Sequence, residues 1–292
     1  MPPPSSGGVH LIQMLNMLEL FPLAKLGHNG ADGLHLMAEA MKLVYADRAR
    51  HLGDPDFWAV PIKGLTSKAY AKSLAAGIDP RRARPSVQIS HGDPAPYESN
   101  ETTHFSVMDG AGNVVSNTYT LNFSFGTGIV APGTGILLNN EMDDFSAKPG
   151  VPNAFGLVGG EANAIQGGKR PLSSMTPTIV FKDGQPLLAT GSPGGSRIIT
   201  MVLQILLNVI DHDLNIAEAT AAPRIHHQWL PDKLWVERGL GPDTLAILRQ
   251  RSHQATPSRA AGSVQSVMRL ANGTGFLGAS DPRSPGALTA GY

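Results

Sequence analysis

The run Thr102-Thr103-His104-Phe105-Ser106-Val107-Met108 marks an abrupt change of character in the chain. Before it, residues 79–101 carry Pro80, Pro85, Pro94 and Pro96 among Arg81, Arg82 and Arg84, with few apolar residues. Such a segment buries too little apolar surface to order itself, so it is expected to be a mobile linker. After Thr102 the apolar pattern has a period of two, with β-rich runs at 105–108 and 114–121 joined by Asp109-Gly-Ala-Gly-Asn113. A threonine hydroxyl is a poor nucleophile without a neighbouring base. A cut immediately before Thr102 would free its own α-amine, whose pKa of roughly 7.7–8 suits that role. Two threonines can equally begin a strand with no chemistry at all, and the layout alone leaves both readings open.

On the N-terminal side, the first 78 residues read as helical. Residues 9–21 and 31–52 have apolar side chains at helical spacing, with Leu34, Met37, Met41, Val44 and Tyr45 on one stripe. Thr66 is placed to cap a third helix through residue 76. Beyond Thr102, residues 178–181 and 187–190 form a hairpin about Asp183-Gly184. Residues 264–270 and 275–277 form another about Asn272-Gly273. Helices are expected at 198–210, at 216–222 with Asn215 and Glu218 as a capping box, and at 243–251. Strand pairs, buried helices and strands again indicate an α+β layered sandwich rather than a parallel Rossmann sheet. The expected divisions are 1–78 helical, 79–101 linker and 102–292 catalytic.

Composition removes several classes. The 292 residues carry a formal net charge of +0, so no electrostatic footprint for nucleic acid or an anionic membrane is present. There is no Cys, which excludes disulfides, thiolate metal sites and Cys nucleophiles. The 33 Gly and 23 Pro exceed the roughly 12% of average usage, as in a loop-rich protein. Charged residues make up 16% where about a quarter is usual, which suits a chain with surface covered by another polypeptide. The first eight residues lack the basic and apolar regions of a signal peptide, and no apolar run reaches membrane-spanning length.

Three further clusters can carry chemistry. Gly191-Ser-Pro-Gly-Gly-Ser196 runs directly into the apolar helix from Ile198, so converging N–H groups there could hold an oxyanion; a tight strand-to-helix turn explains it equally well. Asn139-Asn-Glu-Met-Asp-Asp144 places three carboxylates within four residues, suited to a substrate ammonium or to nothing but solvent; the spacing argues against calcium. Ser173-Ser174 follows Lys169-Arg170-Pro171 and could hydrogen-bond a carboxylate. Gly273-Thr-Gly-Phe-Leu-Gly278 matches a dinucleotide fingerprint, yet it leads into no helix and reads as a hairpin turn. His226-His227 are adjacent and point apart, which disfavours a zinc pair.

Taken together, Thr102-Thr-His104, Thr118-Tyr-Thr-Leu-Asn122, the run from Leu138 through Pro149, Arg170-Pro-Leu-Ser-Ser-Met175 and Thr190-Gly-Ser-Pro-Gly-Gly-Ser196 resemble the γ-glutamyltransferases in order and spacing. The resemblance extends to Met1-Pro-Pro-Pro-Ser-Ser-Gly-Gly8 and Ala279-Ser-Asp-Pro-Arg283, essentially the whole chain. It implies an N-terminal-nucleophile hydrolase fold, an αββα sandwich whose large and small subunits arise from one precursor. By that resemblance Thr102 is the nucleophile, released by autocatalytic cleavage after Glu101, and Thr120 orients it. Gly194 and Gly195 are the oxyanion donors. Asn122, Glu141 and Asp144 hold the α-amino end of a γ-glutamyl group, and Ser173 and Ser174 its α-carboxylate. Phe155 sits in a lid, 149–160, where bacterial relatives often have Tyr; it can cover the site without donating a hydrogen bond.

The implied reaction is attack on a γ-glutamyl amide, glutathione being the usual donor, followed by transfer to water or to an amino acid or peptide amine. No cofactor or metal is implied. The resemblance places Met1 at an internal Met of the large subunit, so the family's signal peptide and its carboxylate-gripping Arg are expected outside this chain, which then reads as a fragment or a shortened product. Arg170 and Arg197 are the first substitutes for that Arg. A periplasmic or secreted location is the family's expectation. The alternatives are a cephalosporin acylase preferring a glutaryl chain, and a catalytically inactive remnant that acts as a binding partner.

Overall fold

The computed structural model describes residues 1–97, 113–259, 262–270, 273 and 275–290. The helices are α1 (Gly7–Leu18), α2 (Ala31–His51), α3 (Ile62–Thr66), α4 (Lys68–Ala75), α5 (Ile198–Ile210), α6 (Ile216–Ala221) and α7 (Pro242–Gln250). The strands are β1 (Thr178–Lys182), β2 (Gln185–Gly191), β3 (Ile225–His226), β4 (Leu234–Val236), β5 (Ala255–Pro257), β6 (Gln265–Arg269) and β7 (Phe276–Ser280). They form a four-stranded antiparallel sheet in the order β1-β2-β6-β7 and a three-stranded sheet, β3-β4-β5, whose strands are too short for sequence periodicity to reveal. The architecture is α+β.

One core joins α1, α2 and α5 to the buried faces of both sheets, through Met14, Met41, Val44, Ile199, Val202, Leu188 and Leu234. Helix α5 is buried on all sides, as its nearly uninterrupted apolar sequence requires. Helix α2 is buried too, although it contains Glu39, Lys42, Asp47 and Arg48. Each of these charges therefore needs a partner inside. Lys42 Nζ lies 2.8 Å from Glu39 Oε1, and Asp47 accepts hydrogen bonds from Gln13 Nε2, Tyr70 OH and the Gly92 N–H.

The hairpin about Asp183-Gly184 forms as read, with both turn residues at positive φ, 52° and 73°. Strands β6 and β7 pair antiparallel as the second hairpin requires, although Asn272 lies outside the described residues. Asn215 and Glu218 complete the capping box of α6. Elsewhere the structure corrects the sequence. Ser67, not Thr66, caps α4, because Thr66 ends α3 and its hydroxyl bonds back to Ile62 O. Of the expected first hairpin, 105–108 lies outside the described residues, and residues 114–121 are no strand. That segment meets the sheet through the Ser116 hydroxyl, which donates to Thr190 O and accepts from the Thr178 N–H in place of a backbone ladder.

Residues 79–97, expected to be mobile, are packed. Ala83, Ser86 and Ile89 are buried. Glu39 and Asp232 accept from the Arg84 and Ser86 N–H groups, Lys42 donates to Arg84 O, and Trp229 Nε1 donates to Ser86 O and Ile89 O. Polar side chains that the composition of 79–101 gives no hint of thus do the anchoring that apolar burial could not. Residues 98–101 lie outside the described residues.

Candidate active site

Strand β2 ends at Gly191, and the chain turns through Ser192-Pro193-Gly194-Gly195 into a 3₁₀ turn, Gly195–Arg197, that continues as α5. Gly194 has φ 144° and Gly195 φ 57°, both in the region that favours glycine. Among the described residues neither N–H donates to a protein acceptor, and both stand at the positive end of α5. Tyr45, buried in α2, donates to Ser196 O and pins the turn from below. The turn can therefore offer two unused donors to an anion.

A second wall comes from the acidic run, which winds into a 3₁₀ turn, Glu141–Asp144. Burial pushes the Asp144 carboxyl up to about 6; Arg48 opposes that shift and Asp143 adds to it. Glu141 is raised as well, by burial and then by Asp144, and its Oε1 is buried with no hydrogen-bond partner among the described residues. Asn122, at φ 72°, donates from Nδ2 to Asn140 O, which ties the 118–122 segment to the acidic turn. Thr120 Oγ1 accepts from the Asn122 N–H at 2.7 Å.

The third wall is Ser173-Ser174. Ser173 Oγ accepts from the Met175 N–H at 2.9 Å, and Ser174 Oγ accepts from Arg48 Nη2 at 3.1 Å. Among the described residues the Ser174 hydroxyl donates to no protein acceptor, so its proton is free to turn outward, whereas Ser173 Oγ also lies 3.4 Å from Ser5 Oγ, whose own proton goes to Met175 O. This segment is held by the N-terminal run: Ser173 N–H donates to Pro4 O, Ser6 N–H and Oγ both donate to Ser173 O, and Ser5 Oγ donates to Met175 O.

The walls enclose one cavity of about 100 Å³. Thr118, Thr120, Asn122, Asp144, Phe155, Ser173, Ser174, Gly194 and Gly195 line it, with apolar surface from Leu157, Met175, Pro193 and Ile198. Of the residues singled out from the sequence, Glu141 does not line it, and Glu101 and Thr102 lie outside the described residues. Phe155 lies directly on the glycine turn, edge-on to Phe123 at 5.7 Å. Its carbonyl accepts from Gln228 Nε2, and Gln228 Oε1 accepts from Ser196 Oγ. Gln228 thus ties the 149–160 loop to the glycine turn.

Neither arginine considered as a carboxylate ligand reaches the cavity. Arg170 is engaged by Asp54 and Asp56, and Arg197 lies over the Trp235 ring and donates to Ser258 Oγ. The cation that meets the serines is Arg48, which sequence reasoning missed. Its signal was present. After Met37, Met41 and Val44, helical spacing puts residue 48 on the apolar stripe of α2, where a charge is out of place. Gln228 and the Pro4–Ser6 run were missed because their roles depend on partners distant in sequence.

The remaining clusters carry no site. His226 is buried, bonded to Thr200 Oγ1 and Gln228 Oε1, and burial lowers it to about 3. Among the described residues no group of three His, Asp or Glu is placed to hold a metal ion, and no helix is long and apolar enough to cross a membrane.

A family model described as gamma-glutamyltranspeptidase matches residues 1–291. The chain is 62% identical over 292 residues to a glutathione hydrolase proenzyme of Escherichia coli (strain K12), covering 100% of this chain and 50% of that protein. A crystal structure of a Helicobacter pylori gamma-glutamyltranspeptidase mutant is 53% identical with a TM-score of 0.60, over 63% of this chain and 100% of its own. That of a cephalosporin acylase from Bacillus halodurans is 27% identical with a TM-score of 0.80, over 97% of this chain and 49% of its own. The chain spans about half the length of the curated relatives it matches. The fold is that of the N-terminal-nucleophile hydrolases, to which the described residues contribute the β1-β2-β6-β7 sheet and the layer of α5 and α6.

Proposed function

The chain belongs to the γ-glutamyltranspeptidase family, and on that premise we propose that it carries the nucleophile and most of the substrate pocket of a γ-glutamyl amidohydrolase and transferase. The observation that supports this reading is the single cavity joining a half-buried carboxylate, a serine pair in which the Ser174 proton is free, and a glycine turn with unused N–H groups. A γ-glutamyl group has an ammonium, a carboxylate and an amide carbonyl, and the three walls match these in kind.

In this proposal Thr102 Oγ first attacks the carbonyl of Glu101, the Glu101–Thr102 C–N bond breaks to leave an ester and the free Thr102 amine, and water cleaves that ester to release the Glu101 carboxylate and the Thr102 hydroxyl. That amine then takes the hydroxyl proton as Thr102, oriented by Thr120, attacks the γ-amide. The oxyanion sits against the Gly194 and Gly195 N–H groups, the amine leaves with a proton, and a γ-glutamyl ester remains. Water or an amino acid or peptide amine takes up the acyl group. Asn122, Glu141 and Asp144 serve the α-amino end, Ser173 and Ser174 the α-carboxylate, and Phe155 covers the reacting centre. Residues 79–101 lead into the processing site, and 102–292 form the catalytic part. Glutathione and other γ-glutamyl compounds are the proposed donors, with the part of the relatives that this chain does not cover as its partner. A periplasmic or secreted location belongs to the same proposal.

The likeness to a cephalosporin acylase favours a second reading, action on a glutaryl chain. A glutaryl chain has no ammonium, which would leave the Asp144 carboxylate facing no cation, so the γ-glutamyl reading fits the pocket better. The test is denaturing mass spectrometry with γ-glutamyl-p-nitroanilide and glutaryl-p-nitroanilide assays, on this chain alone and co-expressed with the uncovered part of its 62%-identical relative. Two pieces, the smaller beginning at Thr102, and turnover of the γ-glutamyl substrate are expected. Cleavage that persists in Thr102→Ala, or preference for the glutaryl substrate, would sink the reading.

A further inference from the structure

Arg48 is 5% exposed, and among the described residues it forms no ion pair. Burial pulls its pKa down, but a guanidinium stays charged in proteins. Asp144 favours that charge from beyond ion-pair reach. A buried cation without a contacting anion is costly unless its hydrogen bonds are met and an anion comes near. Its hydrogen bonds run to Ser6 Oγ (3.0 Å, from Nε) and to Ser174 Oγ (3.1 Å) and Leu172 O (3.5 Å, both from Nη2). All three acceptors belong to the clamp in which the N-terminal run grips residues 172–175.

The bond to Ser174 has a chemical consequence. With its oxygen accepting from Arg48, the Ser174 hydroxyl can donate only elsewhere, and it lines the cavity. Ser6 ties the same arginine to the backbone of Ser173: it accepts from Arg48 and donates to the Ser173 carbonyl. The clamp is closely fitted. A Cβ on Gly7 would come within 2.1 Å of Met175 O, so the N-terminal run could not lie so near with any larger residue there.

We propose that Arg48 is the positioning residue for the carboxylate end of the pocket: it turns the Ser174 proton into the cavity and sets a positive charge with no ion-pair partner behind the two serines, so that a substrate carboxylate supplies the missing anion. This rests on the γ-glutamyl reading. Arg48, Ser6 and Gly7 thereby act on the pocket although none of them lines it.

The experiment uses the co-expressed protein described above and two substrates, γ-glutamyl-p-nitroanilide and 4-aminobutyryl-p-nitroanilide, which lacks only the α-carboxylate. In Arg48→Met, KM for the γ-glutamyl substrate should rise about tenfold or more with kcat little changed, as for loss of a charge-assisted interaction. The ratio of kcat/KM for the two substrates should fall by a similar factor, while Arg48→Lys recovers part of it. Ser6→Ala, which removes one acceptor and keeps the charge, should give a smaller loss in the same direction, and it decides the matter if Arg48→Met does not fold. Equal losses on both substrates would reduce Arg48 to a structural role and overturn the proposal, as would unchanged kinetics. An unsubstituted protein that turns over neither substrate would instead overturn the γ-glutamyl reading, and this inference with it.

Discussion

The Phe155 ring occupies the space that a side chain on Gly195 would need: a Cβ built there would lie 2.6 Å from Phe155 Cδ1. Gly195 also has φ 57°, where a residue with a Cβ is strained by roughly 1–2 kcal/mol. Gly195→Ala should therefore displace the ring and disturb the turn together. We expect kcat/KM for γ-glutamyl-p-nitroanilide to fall about a hundredfold or more, the scale of losing one oxyanion donor. The melting temperature should drop by only about 2–8 °C. Adding Phe155→Ala should recover part of the activity if the clash is the cause; no recovery would place the damage in the backbone.

Asp144 links activity to pH. Its carboxyl is raised to about 6, so it is ionised, and able to hold an ammonium, only above that pH. Activity at low substrate should rise as pH climbs through about 6. Asp144→Asn should lose that rise and cut kcat/KM about ten- to a hundredfold at roughly pH 8, as for a charge-assisted hydrogen bond of roughly 1.5–3 kcal/mol. Stability should run the other way. Between the unfolded value and about 6 the native state holds the proton more tightly, so this group's contribution to stability is lost as pH rises through that window. Asp144→Asn should thus be no less stable than the parent on the alkaline side of the window, which urea titration on both sides of it would check.

Asn215 Oδ1 accepts from the Ala217 and Glu218 N–H groups, and Glu218 returns the bond to the Asn215 N–H. Asn215→Ala should cost about 1 kcal/mol of stability. Because α6 does not line the cavity, kcat/KM should be unchanged. A loss of activity greater than the loss of folded protein would show that α6 is coupled to the site.

Several large apolar side chains between 119 and 136 face solvent, with Tyr119 89% and Phe125 71% exposed. Patches of this kind usually have a partner. This chain by itself should bind a hydrophobic dye and turn over γ-glutamyl-p-nitroanilide poorly, and co-expression with the uncovered part of its relative should reverse both. Full activity from the chain alone, with no dye binding, would show that the pocket needs nothing further.

Local patterning was legible in the sequence wherever one segment decides the outcome. The apolar run of α5, the Asp183-Gly184 turn and the Asn215–Glu218 box depend on periods and spacings of a few residues, and they form as read. Thr66 and Ser67 show the limit even at short range. Both can cap a helix, and which one does depends on where the preceding turn ends.

The pocket is different: its lining lies between residues 118 and 198, but the groups that hold its Ser173-Ser174 wall, Pro4–Ser6 and Arg48, are distant in sequence. Composition predicts a mobile 79–101 segment, since it has few apolar residues to bury; within the described part, 79–97, Asp232, Trp229 and Glu39, distant in sequence, hold it through backbone groups instead. Local sterics and periodicity suffice for the long helices, the β1-β2 hairpin and the glycine turn, so these could be read from the residues alone. They say nothing of Pro4–Ser6 lying along Ser173, or of Arg48 standing behind Ser174; those placements came from packing the whole chain. A buried charge must find its partners wherever packing brings them, and no spacing rule connects residues more than about a hundred positions apart.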